Sequence, residues 1–267
     1  MTAMRPEQPT PDYVPGHDLL AGKVVVVTAA AGAGIGAAVV RRALEEGAKA
    51  VVFSDTHERR LQEAEAALAE EFGADRVRQL VCNVTKEEDI TALLDAAEEF
   101  GGVDIMINNA GLGGTDSILE VTDEVWNRVI DITLTGTMRA TRAVGQRFVA
   151  AGKKGVIVNN ASVIGWRAQE GQAHYAAAKA GVMALTRCAA MDVADRGVRV
   201  NCVAPSIAIH ENLARSAPQE LLDRLAAAEA FGRSAEPWEV ATTIVFLASD
   251  YSSYMTGEVV SVSSQHP

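Results

Sequence analysis

Cysteine is scarce in this chain of 267 residues: Cys82, Cys188 and Cys202 stand singly and far apart. Three isolated thiols supply neither a disulfide framework nor a zinc site, so no metal is expected. Each sits in an apolar run, which predicts buried, reduced thiols in a cytoplasmic protein. Positive charge is also in deficit, with 24 Lys and Arg against 35 Asp and Glu and a net charge of −11. Binding a phosphate backbone needs clustered cations, so no nucleic-acid partner is expected. No run of 18 apolar residues occurs, so no membrane span is expected either. Residues 1–18 lack the basic-then-apolar layout of a secretory signal and, rich in Pro and polar residues, are predicted to be a flexible leader. No repeat, low-complexity tract or linker follows, so residues 19–267 are predicted to form one domain.

Beyond the leader, short Val/Ile runs alternate with longer helical stretches. Strands are predicted at Val24–Thr28, Val51–Ser54, Val77–Cys82, Val103–Asn108, Val156–Asn160, Val198–Val203 and Val259–Val262. Nearly continuous apolar strands of this kind are covered on both faces. Between them lie helices such as His57–Phe72, where Leu61, Ala64, Leu68 and Phe72 recur at helical spacing. Thr85-Lys86-Glu87-Glu88 reads as a capping box opening the next helix. The alternation predicts an α/β fold: one doubly wound Rossmann domain, its seven-stranded parallel sheet carrying helices on both faces and a ligand crevice at the strands' carboxyl ends.

The first strand runs into Thr28-Ala29-Ala30-Ala31-Gly32-Ala33-Gly34-Ile35-Gly36, and a helix follows. A phosphate reaches backbone N–H groups at a helix N-terminus only where side chains are small. Nineteen residues past Gly36, at the end of the second strand, Asp55 can accept hydrogen bonds from adenosine ribose hydroxyls and would repel a 2′-phosphate. The same Asp, or Thr56, equally suits a helix cap. Arg59 and Arg60, further along that helix, are placed to reach a 2′-phosphate. NAD is the expected cofactor, with NADP as the alternative.

Tyr175 and Lys179 form a Tyr-x-x-x-Lys pair within a helix predicted at Ala173–Val193, one turn apart and on one face. A free tyrosine, with a pKa near ~10, is a poor base at neutral pH. A neighbouring ammonium and a positive nicotinamide ring favour the phenolate. Thirteen residues upstream, Ser162 in Asn159-Asn160-Ala161-Ser162-Val163-Ile164-Gly165 stands past a strand end, where a hydroxyl can polarise a substrate carbonyl. Taken singly, the pair and the serine are ordinary helix and turn residues.

The combination resembles the short-chain dehydrogenase/reductase superfamily from Leu19 to the C-terminus. Its pieces are the glycine turn, Asn108-Asn109-Ala110-Gly111, Ser162, Tyr175 with Lys179, Asn201-Cys202-Val203-Ala204-Pro205, Phe246-Leu247-Ala248-Ser249-Asp250 and Tyr254-Met255-Thr256-Gly257. The resemblance implies hydride transfer between a nicotinamide ring and an alcohol or carbonyl carbon. Tyr175 would exchange the oxygen's proton, Lys179 would bind the nicotinamide ribose, and Ser162 would hold the oxygen. For the cofactor it implies Gly32, Gly34, Ile35 and Gly36 at the pyrophosphate, and Asp55, Asn109, Ala110 and Gly111 near the adenosine ribose. Asn83 and Val84 would lie against the adenine, and Tyr175, Lys179, Pro205 and Ala208 complete the set. A homotetramer, assembled through the helices after Thr122 and Gln172 and through the C-terminal segment, is the family's common state.

The pattern is not followed throughout. The glycine turn is one residue long, and Ala29 stands at its customary first glycine. Asn83 replaces an Asp. The fourth catalytic position, usually Asn, is Thr133, which puts the water relay from the lysine in question. Pro205 is followed by Ser206, and His210 occupies the place of a Thr that contacts the nicotinamide amide.

The substrate lobe is predicted at about 206–231, with Trp166–His174 and Gly111–Thr115. Leu213, Leu221, Leu222, Leu225 and Phe231 fit an apolar lid or helix packing equally; Trp166 fits a pocket floor or the core. Val158–Ser162, Gly165–Gln169, His174–Lys179 and the ending Ser263-Ser264-Gln265-His266-Pro267 resemble an actinobacterial branch acting on steroid C/D-ring-derived coenzyme A thioesters, often labelled 3-oxoacyl-[acyl-carrier-protein] reductase. That resemblance implies a bulky alicyclic substrate held by Ser162, Trp166 and Tyr175. A 3-oxoacyl thioester reductase is the alternative, and a dinucleotide-binding protein without turnover is a second.

Overall fold

The computed structural model describes residues 8–210, 213–214 and 218–264; Arg215 and the closing Gln265-His266-Pro267 lie outside them. Seven parallel strands form one sheet in the order β3-β2-β1-β4-β5-β6-β7. They are β1 Val24–Val27, β2 Ala50–Asp55, β3 Val77–Val81, β4 Ile105–Asn108, β5 Gly155–Asn160, β6 Val198–Pro205 and β7 Val259–Val262. The helices are α1 Ile35–Glu45, α2 Glu58–Phe72, α3 Glu87–Ala96, α4 Asp123–Ile130, α5 Gly136–Ala150, α6 Ala173–Val193, α7 Gln219–Ala228 and α8 Pro237–Ala248. The doubly wound prediction is the fold observed.

The valine-rich strands follow from burial on both faces. Val25 and Val27 point into a core shared with Val39 and Val40 of α1 and Ile244 and Val245 of α8. Their neighbours Val24 and Val26 point the other way, towards Leu93 and Leu94 of α3 and Val144 and Phe148 of α5. A period of two with both phases apolar is what such a sheet requires. The strand order reverses between β1 and β4, which pair directly from Val25↔Ile105 to Val27↔Ile107. Diverging connections there open a crevice at the carboxyl ends.

A buried polar ladder locks the middle of the sheet to its covering helices. Asn108 on β4 donates through Nδ2 to Asn159 Oδ1 on β5 (2.9 Å) and to Thr141 Oγ1 on α5 (3.1 Å). Asn159 Nδ2 in turn donates to Thr186 Oγ1 on α6 at 2.9 Å. Each bond spares a buried polar group a penalty of ~1–3 kcal/mol.

Three local expectations are corrected. From Gln8 onward the segment read as a leader is tied to the domain. Arg42 and Glu46, both buried, pair at 2.6 Å, and Glu46 Oε2 accepts from the N–H groups of His17 and Leu19. Tyr13 packs edge-on against Trp238 and bonds Glu45. Partners on α1, at its cap residue Glu46 and on α8 outweigh the segment's polar composition. At α3 the capping box is absent. The Thr85 hydroxyl turns back to donate to Asn83 Oδ1 at 2.9 Å, leaving Lys86 at the helix start without a side-chain cap. Cys82 and Cys202 are buried free thiols, whereas Cys188 is exposed; α6 is apolar nearly all round, so hydropathy alone did not reveal its outer face.

Candidate active site

The crevice encloses about 1080 Å³ and brings together Gly34, Gly36, Asp55, Asn109, Ser162, Tyr175, Lys179 and Pro205. Gly32, Ile35, Gly111 and Ala208 also line it. A second hollow, of about 740 Å³, lies at the strands' amino ends beside Lys23, Asp104 and Arg199 and holds none of the candidate residues. Among the described residues, no cluster of three His, Cys, Asp or Glu side chains could hold a metal.

The glycine turn is shaped by contacts across the strand ends. Ala29 adopts a left-handed φ of 54°, which aims its carbonyl at Asn109 Nδ2, 2.9 Å away. A Cβ on Gly36 would stand 2.4 Å from that carbonyl and 2.5 Å from Asn109 Nδ2, so only glycine fits there. Gly34 precedes α1 as its cap residue with no side-chain capping bond, leaving the helix's first N–H groups to face the crevice. The Thr28 hydroxyl accepts from the N–H of both Asn109 and Ala110 at 3.0 Å, fixing the loop after β4. Small residues, a helix N-terminus and a wall of fixed amides suit a dinucleotide pyrophosphate.

Asp55 is not the cap of α2, which begins after His57. Its Oδ1 accepts from the N–H groups of Thr56 and His57, and its Oδ2 from Ala31 N at 3.3 Å. The carboxylate therefore braces the glycine turn while facing the crevice. Arg60 lines the same space; Arg59 points to solvent beside Glu63.

Tyr175 and Lys179 project from one face of α6. The Lys179 ammonium donates to Asn160 O at 2.5 Å and lies 5.6 Å from the centre of the Tyr175 ring. Tyr175 is partly buried as a residue, but its hydroxyl lies deep, and burial pushes its pKa up to about 12 against the opposing hydrogen bond of Ser162. Burial likewise lowers Lys179 to about 8. Both groups are held towards neutrality, the disposition of a proton donor beside a tunable charge. Ser162, two residues past β5, caps the turn Val163–Gly165 in extended backbone, and its Oγ accepts from Ile164 N at 3.2 Å.

Thr133 is fully buried in a π-helical turn, Asp131–Thr135, between α4 and α5. Its hydroxyl accepts from Leu112 N at 2.9 Å and donates to Leu112 O at 3.1 Å. A hydroxyl engaged in both directions clamps the loop after β4. Asn83 and Val84 lie outside the crevice wall: Asn83 is engaged with Thr85, and Val84 packs over Gly136. Trp166 is 42% exposed and does not line the crevice, because the short turn Val163–Gly165 carries it past the rim. Ile207, Leu213, Leu221, Leu222 and Leu225 form an apolar wall, and Gln169, Gln172 and Thr115 a polar edge. Phe231 is half-exposed and outside that wall.

Thr28, Asn160 and His174, each inside a segment singled out above, gain individual roles only through their contacts. His174 is buried beside the tyrosine; its Nδ1 accepts from Tyr175 N at 2.9 Å and its Nε2 lies 3.3 Å from Asp116 Oδ2. The signal for each lies in a partner remote in sequence.

The family described as Enoyl-(Acyl carrier protein) reductase matches residues 29–264. The chain is 61% identical over 258 residues to a Mycobacterium tuberculosis protein named (5R,7aS)-5-hydroxy-7a-methyl-1-oxo-2,3,5,6,7,7a-hexahydro-1H-indene-carboxyl-CoA reductase, covering 96% of this chain and 98% of that one. It is 37% identical to a 3-oxoacyl-[acyl-carrier-protein] reductase of Vibrio cholerae, covering 91% and 96%. A short chain dehydrogenase from Mycobacterium smegmatis superposes with a TM-score of 0.86 at 56% identity, covering 97% and 99%. With Ser162, Tyr175 and Lys179 gathered in one crevice with the glycine turn, this chain belongs to the short-chain dehydrogenase/reductase family and is an oxidoreductase acting on CH–OH groups.

Proposed function

We propose that the chain interconverts a secondary alcohol and a ketone on a bulky alicyclic ring carried as a coenzyme A thioester. The observation that carries this reading is the 61% identity, over nearly the full length of both chains, with a reductase named for such a thioester. The leucine wall lining the same crevice as Ser162 and Tyr175 supports it, since apolar surfaces hold rings while a few polar groups fix their orientation.

Bound nicotinamide supplies or takes the hydride at the carbinol carbon. Ser162 holds the substrate oxygen, and Tyr175 gives that oxygen its proton as the hydroxyl in reduction or removes it as the phenolate in oxidation. Lys179 stabilises the phenolate and, from its place beside Asn160, holds the nicotinamide ribose. Asp55 supports NAD(H) over NADP(H), because its carboxylate would repel a 2′-phosphate; Arg60 on the same wall is the residue that would favour NADP(H). A homotetrameric assembly, a cytoplasmic location and a place in steroid-ring breakdown belong to the same reading and rest on the family resemblance.

A 3-oxoacyl thioester reductase is the second reading, favoured by the Vibrio cholerae relative. The gathered Ser162, Tyr175 and Lys179 weigh against a binding protein without turnover. Comparing kcat/KM for a hydroxylated hydrindane coenzyme A thioester and for acetoacetyl-coenzyme A, each with NAD(H) and NADP(H), tests the proposal. Remote ring contacts should raise kcat as well as affinity for the bulky substrate. A clear advantage for acetoacetyl-coenzyme A would replace the first reading with the second.

A further inference from the structure

His210 is left without a role by the chemistry above. It follows β6 and lines the crevice. The tip leans over the glycine turn, with Nε2 3.3 Å and Cε1 and Cδ2 3.4 Å from where a Cβ on Gly34 would stand. Gly34 is the residue whose lack of a side chain lets an anion approach the start of α1. An imidazole edge therefore borders the same small space from the opposite side.

The state of the ring is constrained. Nδ1 is buried with no hydrogen-bond partner. A proton is better placed on Nε2, which faces the open turn, than on an enclosed nitrogen with nothing to accept it. Burial holds the ring's pKa below the ordinary histidine value, so it is neutral near pH 7 with a single N–H to offer. No side-chain N–H from the turn itself is available, since Ala29, Gly32 and Gly34 line it.

We propose that His210 is a pyrophosphate ligand of this chain, its Nε2–H donating to the bound dinucleotide from across the glycine turn. The assignment rests on the dinucleotide reading of the crevice. It makes His210 a cofactor-positioning residue, set where the α1 N–H groups and the imidazole grip the anion from two sides. Hydrogen bonds to charged groups are the strong ones, so losing this one should cost about tenfold in affinity.

The test is binding, not turnover. ADP-ribose carries the pyrophosphate and both riboses without the nicotinamide, and adenosine carries no phosphate. Calorimetry would compare both on the unaltered chain, His210→Ala and His210→Gln, with thermal melts to confirm folding. Expected are a roughly tenfold weaker ADP-ribose affinity in His210→Ala, partial recovery in His210→Gln, which keeps an N–H donor, and unchanged adenosine binding. Equal or tighter ADP-ribose binding by His210→Ala would overturn the assignment and make the ring a mere cover of the turn. An equal loss for adenosine would overturn it too, by locating the effect away from the phosphates. Failure of the unaltered chain to bind ADP-ribose would overturn the dinucleotide reading itself, and this inference with it.

Discussion

Ala29 holds a φ of 54°, a region that L-residues with a Cβ enter at a cost of roughly 1–2 kcal/mol. It stays there because its carbonyl must meet Asn109 Nδ2 and because the turn passes within 2.4 Å of the space above Gly36. The residue is exposed at the crevice wall, so its methyl buries little surface. Replacing it by glycine removes the strain and gives up almost no packing. Against this stands the extra freedom of glycine in the unfolded chain, about 0.4–1 kcal/mol. The net expectation for Ala29→Gly is a stabilisation of roughly 0.5–1 kcal/mol, or about 1–4 °C in melting temperature for a domain of this size. Urea titrations and thermal melts at fixed protein concentration measure it. ADP-ribose affinity should hold or improve, since the turn loses only a methyl group facing the crevice. Ala29→Val, β-branched at positive φ, should lose stability by more than ~1 kcal/mol. Destabilisation by Ala29→Gly would refute the reasoning, as it would mean that the methyl contributes packing the structure does not contain.

Tyr175→Phe should lower kcat by ~10²–10⁴-fold while ADP-ribose binding stays within about twofold, because only the proton-transferring hydroxyl is lost; near-native turnover would remove Tyr175 from its role. Thr133→Val keeps the shape but strips both bonds to Leu112, so a loss of roughly 1–3 kcal/mol in urea unfolding is expected, with Thr133→Ser close to the unaltered protein. Ketone reduction should decline as pH rises through about 8, since the Lys179 ammonium that stabilises the phenolate left by proton donation is then lost; a flat initial-rate profile to pH 10 (about two pH units past that value) would contradict this. The same lysine sets a stability slope. Its folded pKa lies below the ~10.4 of an unfolded lysine, so between about pH 8 and 10 the unfolded chain binds more protons and stability rises with pH. Melts of Lys179→Met should lack that rise.

The strand runs, their order of appearance and the Tyr175–Lys179 pair were legible in the sequence by itself. A strand covered on both faces has no choice but to be Val-rich, and a pair four residues apart on a helix has no choice but to share a face. The glycine turn was legible for the same reason: close approach of a phosphate and of Asn109 excludes side chains at Gly36, whatever the remainder of the chain does. These are local constraints, written where they act. Tertiary structure alone decided the rest. Thr28 meets Asn109 across 81 residues and Thr133 meets Leu112 across 21, so nothing beside either threonine announces that its hydroxyl fixes a loop. Trp166 could have floored the pocket or joined the core on composition; the turn Val163–Gly165 carried it past the rim instead. The leader's polar sequence gave no sign of the buried Arg42–Glu46 pair that receives it, because the two partners lie on a helix more than twenty residues away. His210 came to Gly34 only because β6 and β1 end on the same edge of the sheet, on either side of one crevice, a juxtaposition that belongs to the strand order and to no stretch of sequence.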